Sequence, residues 1–225
     1  AAASRRHVMI GGGGDGLAAR EVLAWPGVER LTLVDLDPRI TQLGQNHPAL
    51  VRLNRRALND PRVRIVNADA MIWLAESRDR FDVVILDFPD PSTYSLGKLY
   101  TQRFYRSVAR RLRPGGTVVT QATSPLFARV AFWCVVHTLE SVGLGPLPYH
   151  VLVPSFGEWG FVLGGTPAPT WPTRLPDLPL RYLDEPALRA LHAFAPDTAP
   201  VSTRPNRLNN QALVGYYLGQ WERWN

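Results

Sequence analysis

The chain has 225 residues, 45% of them apolar, enough for one good core and a small appendage. Its formal net charge is +6 and Lys98 is its only lysine, yet acids gather at the predicted strand ends: Asp15, Asp35, Asp37, Asp69, Asp87 and Asp90. No compact basic cluster is interleaved with aromatics, which argues against a nucleic-acid surface and for a solvated, arginine-rich exterior.

In chain order, Ala-Ala-Ala-Ser-Arg-Arg shows no signal-peptide pattern and reads as the start of a domain cut from something longer. His7–Ile10 is a short buried strand, Leu17–Trp25 a helix stopped near Pro26-Gly27, and Leu31–Asp35 a second strand. A helix from Arg39 breaks around Asn46-His47-Pro48 and resumes over Ala49–Leu58. Val63–Val66 is a third strand, Ala70–Glu76 a helix, and Asp82–Asp87 a fourth strand, apolar and β-branched as a doubly covered strand should be. The segment Leu99–Leu112 reads as a helix with arginines in its last turns, where the dipole favours them. Pro114-Gly115-Gly116 ends it, and Thr117–Gln121 is strand five. Ser124-Pro125 supplies an N-cap and a first-position proline for a helix to about Ser141. Its apolar run, Leu126 to Leu139, is interrupted by Arg129 and His137 and falls short of the roughly 18 residues that span a bilayer. Cys134 lies in that run as a core residue; a lone cysteine with no internal disulfide points to a reducing, cytoplasmic setting. His150–Val153 and Trp159–Leu163 close the sheet as a hairpin-like pair.

After Gly165 the composition changes. Thr166 to Leu180 is a proline-rich, extended connector, Asp184 caps a short helix over Glu185–Phe194, and Arg207–Trp224 forms a last helix. This tail is expected to pack on the domain or a partner rather than to carry chemistry. The alternation predicts an α/β fold, a mainly parallel, doubly wound sheet closed by an antiparallel final pair. Residues 1–165 are expected to form one domain and 166–225 a connector and helical appendage.

Gly11, Gly13 and Gly16 satisfy G-x-G-x-x-G between a strand and a helix, a tight turn that lets a nucleoside approach the backbone. Asp15 is a poor choice beside pyrophosphate; it either meets a cationic ligand or caps the following helix. Asp35, at the end of strand two, is placed for ribose hydroxyls. Asp37 fits a helix N-cap or a ligand equally, and so does Asp69 at the end of strand three. In Asp87-Phe88-Pro89-Asp90-Pro91 two prolines stiffen a turn that presents two carboxylates. Such a pair can hold a protonated amine, and one of them can remove the proton before the nitrogen attacks carbon. Aromatic walls would desolvate that cation; Tyr94, Tyr100, Phe156 and Trp159 are the candidates.

These residues resemble the polyamine aminopropyltransferases, of which spermidine synthase is the best known. The resemblance runs from His7 to Gly164 through Gly12-Gly13-Gly14-Asp15-Gly16, Asp35-Leu36-Asp37, Asp69, Asp87-x-x-Asp90-Pro91, Leu99-Tyr100, Phe104-Tyr105, Gly116–Gln121 and Val153-Pro154-Ser155-Phe156. It implies a Rossmann-like sheet of the S-adenosylmethionine-dependent methyltransferase type, with residues 1–165 as the nucleoside-binding catalytic domain, and transfer of an aminopropyl group from decarboxylated S-adenosylmethionine to a polyamine acceptor, with no metal. Gly12, Gly14, Asp15, Asp35 and Asp69 would hold the donor: Asp15 its amine, Asp35 its ribose, Asp69 its adenine amino group. Asp87 would be the catalytic base, and Asp90, Gln121, Phe156, Glu158 and Trp159 the acceptor's surroundings. Two departures stand out. The family's small β-rich front domain is missing, and its loop tyrosine is Phe156 here, with Glu158 left to supply polarity. The Asp-Phe-Pro-Asp-Pro-Ser-Thr-Tyr form is similar to variants whose catalytic domain follows membrane-spanning segments, which implies a soluble portion of a membrane-attached parent; a homodimer is left open.

Two other readings compete. A methyltransferase using intact S-adenosylmethionine shares the Phe88-Pro89-Asp90-Pro91 stretch with tRNA guanine-N7 methyltransferases, but Ser92-Thr93-Tyr94 stands where those carry a tryptophan and a basic cluster. A non-catalytic polyamine- or nucleoside-sensing domain would keep the pocket without turnover.

Overall fold

The computed structural model describes residues 4–221. Its strands are β1 His7–Gly12, β2 Arg30–Asp35, β3 Val63–Asn67, β4 Phe81–Asp87, β5 Leu112–Gln121, β6 Leu147–Val153 and β7 Gly157–Gly165. The helices are α1 Leu17–Leu23, α2 Pro38–Asn46, α3 Pro48–Leu53, α4 Ala70–Glu76, α5 Tyr94–Gly97, α6 Gln102–Arg111, α7 Arg129–Glu140, α8 Glu185–Ala190 and α9 Ala212–Trp221.

The chain divides into two compact units. Among the described residues, one holds 4–88 together with Ser107–Val119; the other holds Pro89–Arg106 and 120–221. Within the latter the hairpin, α7 and the tail pack on one another, as described below.

In the first unit the order is β3-β2-β1-β4-β5. The pairs β1–β2, β1–β4 and β2–β3 are parallel, and the register sets Gly12 opposite Asp87 and Asp35 opposite Asn67. The inner strands β1, β2 and β4 are mostly buried along their apolar runs, as strands covered on both faces are, while edge strand β3 is half-exposed around Arg64. Val8, Ile10, Leu31 and Leu33 meet Ala19 and Val22 of α1 in the core. Residues at a parallel sheet's carboxyl ends gather in one crevice, which is why the acids share an edge.

In the second unit β5 continues the order as β5-β7-β6. Beyond β5, Ala122 N–H donates to Gly160 O at 2.9 Å and Gly160 N–H to Thr123 O at 2.7 Å. β6 and β7 are antiparallel, pairing Leu147 with Leu163 and Val153 with Gly157. The mostly parallel sheet with an antiparallel end is the fold class expected from the sequence.

Four local signals were misleading. Strand β5 starts at Leu112, because the chain extends directly from α6 and carries Pro114-Gly115-Gly116 within the strand. The helix after Ser124-Pro125 begins only at Arg129. The Ser124 hydroxyl accepts from Leu126 N at 3.3 Å and Phe127 N at 3.2 Å, closing a separate turn, and Ala128 leaves helical geometry at φ −130°. The helix expected from Leu99 begins only at Gln102 as α6, because Lys98–Tyr100 form a 3₁₀ turn that follows the short α5. The last helix starts at Ala212 rather than Arg207; residues 222–224 of that expectation lie outside the described residues.

Helix α7 is buried nearly all round, with Phe132, Cys134 and Val135 fully enclosed. Such a helix needs cover on every side. The strap 198–206 supplies one: Arg129 Nε donates to Ala199 O at 2.7 Å, Trp133 Nε1 to Thr198 O at 2.9 Å, and Cys134 Sγ to Arg204 O at 3.2 Å. Further along, His137 Nδ1 lies 2.7 Å from Thr203 Oγ1, and Asn206 N donates to Thr138 Oγ1 at 2.8 Å. Burial pushes the Cys134 thiol up to about 12, so it is inert core.

Candidate active site

In the first unit the glycine loop and the strand ends are wired together by short local bonds. Gly14 N–H donates to Asp35 Oδ2 at 2.9 Å, and Asp37 N–H to Asp35 Oδ1 at 2.9 Å. The backbone of Gly14 comes so near that an added Cβ would lie 2.7 Å from Asp35 Oδ2. Gly12 has φ +82°, and a Cβ there would collide with the Asp87 carbonyl oxygen, so only glycine lets the end of β1 pass the end of β4. Asp37 caps α2 through Arg39 N at 2.8 Å, and Asp69 caps α4 through Met71 N at 2.9 Å. Buried Asn54 clamps the loop from behind, its Nδ2 donating to Asp15 O and Gly44 O, both at 2.8 Å.

Asp15 accepts only from Leu17 N, at 2.9 Å through Oδ1, so it caps its own turn while Oδ2 takes no hydrogen bond among the described residues. Asp87 stands open at the end of β4, with Oδ2 3.8 Å from where a Gly13 Cβ would be, so the carboxylate overhangs the loop. Among the described residues it receives no hydrogen bond. The surrounding protein strips enough water from it to raise its pKa above the usual aspartate range, and the Asp15 charge raises it further. Neither acid forms an ion pair among the described residues. The result is an uncompensated negative pair beside a nucleoside-type turn.

In the second unit Asp90 is the opposite case. Gln121 Nε2 donates to its Oδ1 at 3.2 Å, Thr123 Oγ1 to its Oδ2 at 3.2 Å, and the Tyr217 hydroxyl also bonds to it. Desolvation raises its pKa above the usual aspartate range, and those three donors, Tyr217 first, offset only part of the rise. Gln121 is itself fixed: Nε2 contacts the Tyr100 hydroxyl at 2.6 Å, while Oε1 accepts from Thr123 N at 3.0 Å and Trp159 Nε1 at 3.1 Å. Tyr100 in turn donates to Pro89 O at 3.0 Å. Thr123 holds a left-handed φ of 61°, a strain of about 1–3 kcal/mol for such a residue, offset by its bonds to Asp90, Gln121 and Gly160.

Of the expected acceptor residues, Asp90, Gln121 and Trp159 come together, and Phe156, 61% exposed, packs its ring 5.2 Å from Trp159. Glu158 does not join them. Strand alternation turns it to the opposite face from Trp159, where its Oε1 lies 3.1 Å from His150 Nδ1. Tyr94 is 71% exposed and Tyr100 fully buried, so the two proposed walls differ completely. Asn54, Thr123 and Tyr217 were missed. Nothing local marks the first two; Tyr217 sat on a predicted helix face that was assigned to packing alone.

The Spermine/spermidine synthase domain model matches residues 1–167. The chain belongs to that family. It is 51% identical over 217 residues to polyamine aminopropyltransferase 2 of Ralstonia nicotianae, covering 96% of this chain and 42% of that protein. Polyamine aminopropyltransferase of Leptospira interrogans is 47% identical over 218 residues, covering 97% of this chain and 44% of that protein. The chain thus spans less than half the length of these relatives. The structure of spermidine synthase from Thermotoga maritima matches with TM-score 0.73 at 24% identity, over 86% of this chain and 67% of that one. A spermidine synthase in complex with the transition state analogue AdoDATO gives 0.74 at 24% identity, over 86% and 68%. In this spermine/spermidine synthase domain, no helix among the described residues is long and apolar enough to cross a membrane. Similarity to the Ralstonia protein extends well past residue 167, where the domain model stops, so the strap and α9 lie largely within the shared region.

Proposed function

We propose that this chain transfers the aminopropyl group of decarboxylated S-adenosylmethionine to an amine acceptor such as putrescine, releasing methylthioadenosine. The observation that carries the reading is the uncompensated Asp15–Asp87 pair over a glycine turn, a site that favours cations and disfavours a carboxylate-bearing donor. The reading is supported by the chain's similarity to polyamine aminopropyltransferases and to a spermidine synthase in complex with the transition state analogue AdoDATO.

Gly12 and Gly14 let the nucleoside approach, Asp35 and Asp69 offer acceptors to its ribose and adenine edges, and Asp15 Oδ2 takes the donor's ammonium. The acceptor's ammonium is held by Asp90, with Trp159 and Phe156 supplying apolar surface. Its attacking nitrogen gives a proton to Asp87, the new C–N bond forms as the C–S bond breaks, and sulfur leaves with the electron pair as a neutral thioether. An alkylammonium pKa is near 10 and an ordinary aspartate near 4, so proton loss is uphill; the raised Asp87 pKa narrows that gap. Because Asp87 is open to solvent, the proton then departs to water.

The test is to supply the decarboxylated donor and a panel of amines and identify the nucleoside product by mass spectrometry. Methylthioadenosine supports the proposal. S-adenosylhomocysteine from intact S-adenosylmethionine would replace it with methyl transfer, and donor binding without any product would replace it with sensing.

A further inference from the structure

The tail, expected only to pack, reaches the acceptor carboxylate. On α9, Leu213 and Val214 are buried, and Tyr217 follows them by four and three residues, on the same helix face. Gln220, three further on, shares that face: its Oε1 accepts from Val130 N at 2.8 Å and Ala131 N at 3.1 Å. It therefore satisfies the amide groups at the start of α7 that no residue of α7's own approach caps. At the other end of α9, Leu213 N donates to Asn206 Oδ1 at 3.3 Å, while Asn206 Nδ2 holds Gly97 O at 3.0 Å. A Cβ at Gly97 would lie 2.5 Å from Val214 Cγ2, so α9 sits directly on α5. Tyr217 is thus gripped on both sides by anchors separate from its own hydroxyl.

We propose that Tyr217 is a positioning residue of the acceptor subsite, its hydroxyl completing the donor set that orients Asp90 toward an incoming ammonium, so that α9 helps set amine affinity. This rests on the aminopropyl-transfer reading for its substrate. A carboxylate has about four acceptor sites. Gln121, Thr123 and Tyr217 occupy three, leaving a fixed direction for the ligand and offsetting part of the cost of burying its charge. Phe156 carries no hydroxyl, so Tyr217 is a phenol that this subsite draws from another part of the chain.

The experiment uses the intact protein and its Tyr217→Phe variant. Calorimetry measures 1,4-diaminobutane and methylthioadenosine binding, and steady-state kinetics follow methylthioadenosine release. The expected result is diamine affinity weaker by about tenfold, the scale of one hydrogen bond to a charged group. The amine KM rises in parallel, with kcat and nucleoside affinity changed less than about threefold. Gln220→Ala, which loosens α9 but keeps the hydroxyl, should give a smaller loss in the same direction. Unchanged or tighter diamine binding in Tyr217→Phe overturns the proposal, as does an equal loss for the nucleoside, which signals general damage. If the wild type binds diamine but releases no methylthioadenosine, the transfer reading falls while the binding ratio still decides Tyr217. A wild type that binds no diamine overturns both.

Discussion

Asp87 and Asp90 are three residues apart and chemically identical, yet the fold treats them in opposite ways. Asp87 ends a parallel strand with no hydrogen-bond donor on its carboxylate among the described residues and a like charge nearby. Asp90 is gripped by an amide, an alcohol and a phenol. A carboxylate that must take up and release a proton is served by the first setting, because burial and a like charge both lift its pKa and no hydrogen bond from the described residues offsets the rise. One that must hold a cation in place is served by the second, where three donors fix its direction and favour its charge. The difference lies in what surrounds the side chain.

The contrast can be broken most sharply at Asp87. Asp87→Asn removes the proposed base and should lower kcat by about a thousandfold while methylthioadenosine binding stays within a few-fold, measured by product release and calorimetry. Gln121→Leu strips the tether between Asp90, Tyr100, Thr123 and Trp159. It should lower unfolding free energy by about 1–3 kcal/mol in urea titrations, since buried partners lose their bonds.

A finer test concerns pH. Asp87 must be ionised to accept a proton, so kcat falls as pH drops through its pKa, which lies above the ~4 of an ordinary aspartate. A neighbouring negative charge favours the protonated form, so removing it with Asp15→Asn should move the acid limb of the kcat profile to lower pH. An unmoved limb would separate the two acids. The smallest effect is expected on α9, where Gly215 has open space around its Cβ position. Gly215→Ala should stabilise the protein by about 0.5–1 kcal/mol, read as a raised melting temperature, without altering the amine KM.

What could be read from the sequence follows the range of the forces involved. The glycine turn, Asp35, Asp69 and Asp87 lie at strand ends whose positions follow from local apolar runs and from the rule that parallel strands present their carboxyl ends together. Thr123 could not be read, because its left-handed backbone is sustained by Gly160 and Asp90, distant along the chain, as well as by nearby Gln121. The start of α7 was misplaced for a related reason. Ser124-Pro125 is a strong local signal, but the cap α7 actually uses comes from Gln220. Glu158 looked like a replacement for a lost hydroxyl until strand alternation turned it to His150. Tyr217 was on a correctly anticipated helix, and only the strap that docks that helix shows what its hydroxyl reaches.

The division of labour between the two carboxylates is tested most directly by amine saturation curves for Asp87→Asn and Asp90→Asn side by side. The account predicts that rising amine restores methylthioadenosine release in Asp90→Asn toward the wild-type kcat, and restores none of it in Asp87→Asn. Recovery of Asp87→Asn at high amine, or a kcat defect in Asp90→Asn as deep as that of Asp87→Asn, would contradict it.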